Sequence, residues 1–121
     1  MAQKVAWSPS LIARFDKAGF TPAIIKELTE TGQVWQFGDL FVVLRSEGYE
    51  LVWMATLGTG IKQYAKQVLL IAKRAGAKTM RFHCTSEERG ILRFWRSYQP
   101  TPILDEGLTD AYRIDLGGVN E

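Results

Sequence analysis

The sequence is poor in the residues on which metal sites and disulfides depend. It contains one cysteine, Cys84, and one histidine, His83. A single cysteine cannot form an intrachain disulfide, and these two side chains cannot supply the four ligands of a structural zinc site. No apolar run approaches the ~20 residues that a helix needs to span a bilayer, and the N-terminus lacks the basic and apolar segments of a secretory signal. We therefore expect no metal, no membrane partner and a cytoplasmic location.

Prolines are also few, and two of the four mark the starts of helices. The dipeptides Ser8-Pro9 and Thr21-Pro22 each combine an N-cap hydroxyl with a proline at the first helical position, where the missing N–H costs nothing. Apolar residues at helical spacing follow both dipeptides, so they predict two short helices. Gly32 is placed to end the second helix in a left-handed conformation.

Hydrophobic periodicity predicts an alternation of strands and helices along the rest of the chain. The predicted strands are 4–7, 34–37, 40–45, 49–56, 79–84, 101–104 and 111–116, and two further helices cover 61–75 and 86–98. Both alternating sets of 49–56 are apolar, which favours a central strand covered on both faces. The order β-α-α-β-β-β-α-β-α-β-β predicts one α/β domain over residues 1–121, with a mixed twisted sheet, a parallel strand pair around the helix 61–75, and a frayed end at 117–121.

The net charge of +2 hides an uneven distribution. Residues 60–99 carry nine basic side chains against two acidic ones, whereas residues 100–121 carry one basic side chain against five acidic ones. Arg89, Arg93 and Arg96 fall on one face of a predicted helix. Such a block suits a polyphosphate or nucleic-acid partner, although solvated helix faces are often equally basic.

The stretch 50–60 predicts a buried strand that runs into a Gly-x-Gly turn and then into a helix. Backbone N–H groups at a helix N-terminus lack intrahelical partners and lie at the positive end of the helix dipole, so a phosphate placed there is stabilised. The turn Gly58-Thr59-Gly60 is therefore a candidate phosphate site, with Ile61 and Lys62 in the first helical turn. The alternative is that the two glycines only let the chain turn.

In its order of elements and in two short segments, the chain resembles the GNAT superfamily of acyl-CoA-dependent N-acyltransferases. In that family a Gln/Arg-x-x-Gly-x-Gly/Ala turn follows the fourth strand, and its amides hold the pyrophosphate of coenzyme A. Gly58 and Gly60 match the glycines, whereas Ala55 stands where the Gln or Arg is expected. The segment 93–98 resembles an aromatic pair of the family, with Trp95 at the position of a tyrosine that protonates the departing thiolate.

The resemblance implies acetyl-CoA as the acyl donor and an amine as the acceptor. The residues expected to bind the cofactor are Val52, Met54, Gly58, Thr59, Gly60, Ile61, Lys62 and Arg93. Backbone donors on the fourth strand would polarise the thioester carbonyl. An indole N–H is not a usable acid, so Trp95 cannot protonate the thiolate. Tyr98, one helical turn later, is the candidate proton donor; the alternative is that Tyr98 is only a core or rim aromatic.

A base is needed because only a neutral amine attacks a thioester. Glu50 opens the fourth strand and is the candidate, since burial is expected to raise its pKa toward neutrality. The alternative is a solvated glutamate at a hairpin exit. His83 has a suitable pKa but is interpreted as a structural residue, and Cys84 as a small core residue.

Three functional classes remain open from the sequence. The first is an acetyl-CoA-dependent N-acetyltransferase that acts on an amine of a small molecule, a protein or a nucleobase. The second is a GNAT-like module without catalysis that binds nucleic acid or a protein through its basic face, and the third is an assembly factor without a small-molecule ligand. Small proteins of this kind also occur in bacteriophage genomes, so the resemblance extends to a phage-like member.

Overall fold

The computed structural model describes residues 2–83, 95–105 and 108–119, with the side chains of 103–105 and 108–110 excepted. The strands are β1 (Ala2–Val5), β2 (Gln33–Phe37), β3 (Leu40–Glu47), β4 (Glu50–Gly58), β5 (Thr79–His83), β6 (Thr101–Asp105) and β7 (Leu108–Asp115). The α-helices are α1 (Pro9–Lys17), α2 (Pro22–Thr31) and α3 (Ile61–Arg74), and short 3₁₀ helices cover Arg96–Tyr98 and Leu116–Gly118. The predicted element order is confirmed, apart from the helix at 86–98, most of which falls outside the described residues.

The strands form one mixed sheet in the order β1-β2-β3-β4-β5-β7-β6. β4 and β5 are parallel, as the strand-helix-strand pattern predicted. Antiparallel pairing joins β1 with β2, β2 with β3, β5 with β7, and β7 with β6. β4 is the central strand, and its neighbouring side chains Val52 and Trp53, which point to opposite faces, are both buried. The α/β fold class is therefore confirmed.

The first two helices begin as their capping residues predicted. The Oγ of Ser8 accepts a hydrogen bond from the backbone N–H of Leu11 at 3.2 Å, and the Oγ1 of Thr21 accepts one from Ile24 at 3.3 Å.

Gly76, which follows α3, has a φ of 95°, the left-handed region expected after a helix end. Local chemistry alone therefore places these helix ends.

By their internal contacts the residues form two compact units, Met1–Arg45 with Met54–Ile61 and Ser46–Trp53 with Lys62–Glu121. The core of the first unit consists of Leu11, Phe15, Leu28, Val34, Phe41, Val43 and Ala55. The second unit contains an aromatic cluster of Trp53, Phe82, Trp95, Tyr98 and Tyr112. A single domain over residues 1–121 stays a prediction. Within the described ranges, no helix is both long and apolar enough to cross a bilayer.

Gly32 ends α2 for a different reason from the predicted one. Its φ of −102° and ψ of 147° are extended, so the expected left-handed conformation is wrong. A Cβ at this position would lie 2.4 Å from Cγ1 of Val43 and 2.8 Å from the carbonyl oxygen of Leu28. Glycine is therefore required by the close packing of the helix end against its neighbours, and the backbone dihedral angles make no such demand.

The chain also continues in regular structure further than expected at its C-terminal end. Leu116 and Val119 are buried, and the carbonyl oxygen of Val119 accepts a hydrogen bond from Nζ of Lys73 at 2.6 Å. The backbone N–H of Leu116 donates to the carbonyl of Lys78 at 2.9 Å. Apolar burial and these two bonds hold the segment, so the predicted fraying is wrong for residues 117–119.

Gly32→Ala is predicted to destabilise the protein. Since the added Cβ meets backbone and Val43 well inside van der Waals distance, we expect the free energy of unfolding to fall by about 1–3 kcal/mol. Urea denaturation measures this change. The control is Gly118→Ala, where a Cβ has no atom within 4 Å and the change should stay within about 0.5 kcal/mol. Equal losses in the two variants would contradict the packing explanation.

Candidate functional site

The Gly-x-Gly turn lies between the central strand and α3. Gly58 ends β4 with a φ of 98°, Gly60 has a φ of 109°, and α3 begins at Ile61. Glycine tolerates these positive angles, which side chains of L-residues rarely adopt. The first backbone N–H groups of α3 have no intrahelical acceptor, so the turn leads directly into a set of donors at the positive end of the helix dipole.

Gly58 has a structural requirement of its own. A Cβ on this residue would lie 2.1 Å from the carbonyl oxygen of Asp39, in the turn between β2 and β3. This close approach demands glycine whether or not a ligand binds. Gly58 thus supports the turn explanation, and the case for a phosphate site depends on Gly60 and the helix that follows.

The sequence of α3 separates an apolar side from a cationic one. Of the predicted apolar stripe, Ala65, Val68 and Ala72 are buried, and Leu69 is buried beside them. Lys62 and Lys66 are exposed one turn apart, and the helix contains no acidic residue. Lys73, near the end of the helix, donates to the carbonyl oxygen of Val119. The first two turns of α3 therefore present cations to solvent without a neutralising carboxylate on the same helix.

Two residues expected in the cofactor site lie on β4. Val52 is buried, and Met54 is half-buried. The parallel ladder of β4 with β5 pairs Glu50 to Trp53 with Thr79 to Phe82, and β4 continues to Gly58 after the last of these pairs. Val52 therefore belongs to the third of these four pairs, and Met54 directly follows the last pair.

Glu50, the expected base, is bound by three side chains. Thr79 Oγ1 donates to its Oε2 at 2.8 Å, while Arg81 Nη1 and Arg113 Nη2 donate to its Oε1 at 3.1 Å each. Arg113 Nε also donates to Oε2. The Glu50 side chain is only 13% exposed. We call these four residues, Glu50, Thr79, Arg81 and Arg113, the Glu50 cluster.

The cluster reverses the expected titration of Glu50. The hydrogen bond from Arg113 lowers the pKa of the carboxyl group; burial opposes this, but the bond from Thr79 and the charges of both arginines add to the lowering. The expectation that burial raises the pKa of Glu50 is therefore wrong. A carboxylate held in this way is a weak base, because taking up a proton would cost it these charge-assisted bonds.

Neither arginine was predicted to contact Glu50. The sequence did place Thr79 and Arg81 on one face of β5, which was the available signal for half of the cluster. Arg113 lies 63 positions from Glu50, and its contact depends on β7 pairing with β5 ahead of β6. No local sequence pattern predicts that strand order.

The two positions that depart from the GNAT pattern are core positions. Ala55 is 8% exposed and belongs to the core of the first unit. Trp95 is 2% exposed, and its ring centroid lies 5.5 Å from that of Trp53 and 5.2 Å from that of Phe82. A glutamine or arginine at 55, or a tyrosine at 95, would have to bury polar atoms in these clusters.

Tyr98 lies at the edge of the same aromatic cluster. Its ring is 5.8 Å from Trp95, it is half-buried, and it ends a 3₁₀ helix. Arg96 is exposed, whereas Arg89, Arg93 and Cys84 fall outside the described residues. The role of Tyr98 as an acid and that of Arg93 in the cofactor site stay predictions.

Comparison with solved structures identifies the fold. An acetyltransferase of Bacillus subtilis in complex with CoA superposes with a TM-score of 0.64 at 15% identity, over 94% of this chain and 97% of that one. A GNAT-family acetyltransferase of Staphylococcus aureus gives 0.62 at 10% identity, over 96% and 99%. The ribosomal-protein-S18-alanine N-acetyltransferase of Escherichia coli gives 0.59 at 10% identity, over 94% and 92%. No family profile and no curated protein sequence matches the chain. The chain has the GNAT fold.

Acid should remove the contribution of Glu50 to stability. Because its pKa is lower in the folded state than the usual value of 4.5, the stabilisation is complete above that value and is lost as the pH falls through it toward the folded pKa. Urea denaturation of the wild type and Glu50→Gln at pH 7 and at about pH 3 tests this. We expect the difference between the two proteins to shrink at the lower pH.

The control for this experiment is Glu27→Gln. Glu27 forms an exposed ion pair with Arg45 at 3.3 Å, and such pairs contribute little. Its substitution should have a small effect at either pH. If the difference between the wild type and Glu50→Gln did not change with pH, the lowered pKa would be contradicted.

Proposed function

We propose that the protein is an acetyl-CoA-dependent N-acetyltransferase that moves an acetyl group to an amine acceptor. The observation that carries the proposal is the Gly58-Thr59-Gly60 turn, which joins the central strand β4 to a helix without acidic residues. A fold shared with acetyltransferases, one of them in complex with CoA, supports the choice of cofactor. The acceptor would be an amine of a small molecule, a protein or a nucleobase, and a cytoplasmic location stays a prediction.

The turn and the first residues of α3 would bind the pyrophosphate of acetyl-CoA. The backbone N–H groups of Gly60, Ile61 and Lys62 are the proposed donors, aided by the helix dipole. The Thr59 hydroxyl is a further donor, and the exposed Lys62 side chain adds a positive charge. Backbone binding of this kind does not need the side chain that Ala55 lacks.

The chemistry would proceed by direct transfer. A neutral amine would attack the thioester carbon, so that a C–N bond forms and the C–S bond breaks. The proton that the amine loses would pass to water, the departing thiolate would gain one from the proton donor, and the donor would regain its proton from water. Backbone groups of β4 near Val52 and Met54 are proposed to stabilise the negative charge on the carbonyl oxygen. Tyr98 is the proposed proton donor. Glu50 is not proposed as the base, because the bonds from Arg113 and Thr79 and the charges of both arginines lower its pKa and so make it a weak base.

Cofactor binding can be tested at Gly60. Calorimetric titration should detect binding of acetyl-CoA and CoA to the wild type. In Gly60→Ala the side chain disfavours the φ of 109°, so the donors of the turn shift, and we expect affinity to fall about tenfold or more. Absence of binding to the wild type would remove the proposed function.

The matched control is Gly76→Ala at the other end of α3. Gly76 has a φ of 95°, and a Cβ there has no atom within 4 Å. This variant therefore suffers similar backbone strain at a position without a proposed ligand. It should bind CoA as the wild type does, and an equal loss in both variants would show that strain, not the turn, weakens binding.

A second candidate function is binding of nucleic acid by a GNAT-like module. The observation that favours it is the exposed side of α3, where Lys62 and Lys66 face solvent in a helix without acids. Arg96 is also exposed, and Arg89 and Arg93 remain predicted members of the basic face. A phosphate backbone is the partner that such a surface complements.

Salt dependence tests this second candidate. Fluorescence anisotropy with short duplex DNA should give an affinity that falls steeply with salt, by a slope of about 0.9 per neutralised phosphate. Lys66→Ala should reduce the slope by about one such unit. The control is Lys26→Ala on α2, which is also exposed and should leave the slope unchanged. Weak binding with no change in slope for Lys66→Ala would argue against this function.

A further inference from the structure

The Glu50 cluster joins three adjacent strands at one end of the parallel ladder. Glu50 is the first residue of β4 and pairs with Thr79, the first residue of β5. Arg81 lies two residues further on β5, and Arg113 lies on β7. The carboxylate of Glu50, on β4, therefore accepts hydrogen bonds from side chains on β5 and on β7, the next two strands in the sheet.

The register explains why a carboxylate is needed there. Arg81 and Arg113 are direct partners in the antiparallel ladder of β5 and β7. Like charges directly opposite each other are destabilising. Glu50 Oε1 accepts a bond from each guanidinium at 3.1 Å, so the carboxylate converts a repulsive cross-strand pair into a bridged one. Glu47, at the end of β3, also forms an ion pair with Arg81.

We propose that Glu50 is a positioning residue, which holds the start of β4 in register with β5 and β7 by bridging Arg81 and Arg113. Val52 lies two residues further along β4 and pairs with Arg81. The position of this backbone, which the proposed function assigns to the thioester carbonyl, thus depends on the bridge. The inference rests on that function for its catalytic consequence, and on geometry alone for the bridge itself.

A double-mutant cycle tests the bridge without any cofactor. The proteins are the wild type, Glu50→Gln, Arg113→Gln and the double variant, with urea denaturation as the readout. Glu50→Gln should lower the equilibrium constant for folding about tenfold or more, because it leaves two guanidinium groups opposed. In that background Arg113→Gln should cost little or restore stability, which gives a large coupling between the sites. Additive losses would overturn the proposal.

Amide hydrogen exchange tests whether the bridge positions β4. We expect exchange at Val52 and Trp53 to accelerate about tenfold in Glu50→Gln, as local opening becomes easier. Glu47→Gln is the matched control, since it removes another carboxylate that pairs with Arg81, and its effect on these amides should be much smaller. Unchanged exchange in Glu50→Gln would also overturn the proposal.

Activity separates a positioning residue from a base. For acetyl transfer to an amine, Glu50→Gln and Arg113→Gln should impair kcat to a similar extent and should keep the shape of the pH profile of kcat/KM. Loss of the acidic limb in Glu50→Gln alone, with an unchanged folding equilibrium, would make Glu50 the base and contradict our inference. If the wild type transfers no acetyl group, the proposed function fails, while the cycle and the exchange data still decide the bridge.

Discussion

The guanidinium groups of Arg81 and Arg113 lie opposite each other on β5 and β7, and the pairing of β4, β5 and β7 depends on how this repulsion is compensated. Arg81 and Arg113 face each other in register, and like charges directly opposite each other destabilise a sheet unless an anion compensates them. Glu50 supplies the anion from a third strand. The contact depends on the strand order β4-β5-β7, because another order would separate Glu50 from Arg81 and Arg113.

The glycines show a second kind of constraint, that of space. Gly32 and Gly58 are required because their neighbours come within 2.4 Å and 2.1 Å of where a Cβ would lie. Gly76 is different, since it has open space and only a positive φ. A Gly-x-Gly motif can therefore combine two causes. Here the first glycine is explained by packing against Asp39, and the second by its φ of 109°, which side chains of L-residues rarely adopt.

Most of the fold could be predicted because its signals are local. N-cap hydroxyls before Pro9 and Pro22, the apolar stripe of α3 and the two-faced apolar strand β4 all act within a few residues, and all are confirmed. The state of Glu50 could not be predicted in this way. Its pKa depends on Arg113, which is distant in sequence, and burial alone pointed in the opposite direction. The order at Val119 was missed for the same reason, because its carbonyl oxygen accepts a hydrogen bond from Lys73, 46 positions away.

The departures from the GNAT pattern acquire a physical meaning from the core. At Ala55 a small side chain completes an apolar cluster, and at Trp95 a large ring fills the space between Trp53 and Phe82. A small protein has little interior, so side chains near a site also have to serve as core. Where apolar core side chains replace the polar side chains of a site, binding has to depend on backbone N–H donors, which take up no additional space in the core. The turn at Gly60 and the backbone of β4 are the groups of this kind to which the proposed function assigns binding, and the proposed Glu50 bridge would hold the second of them in place.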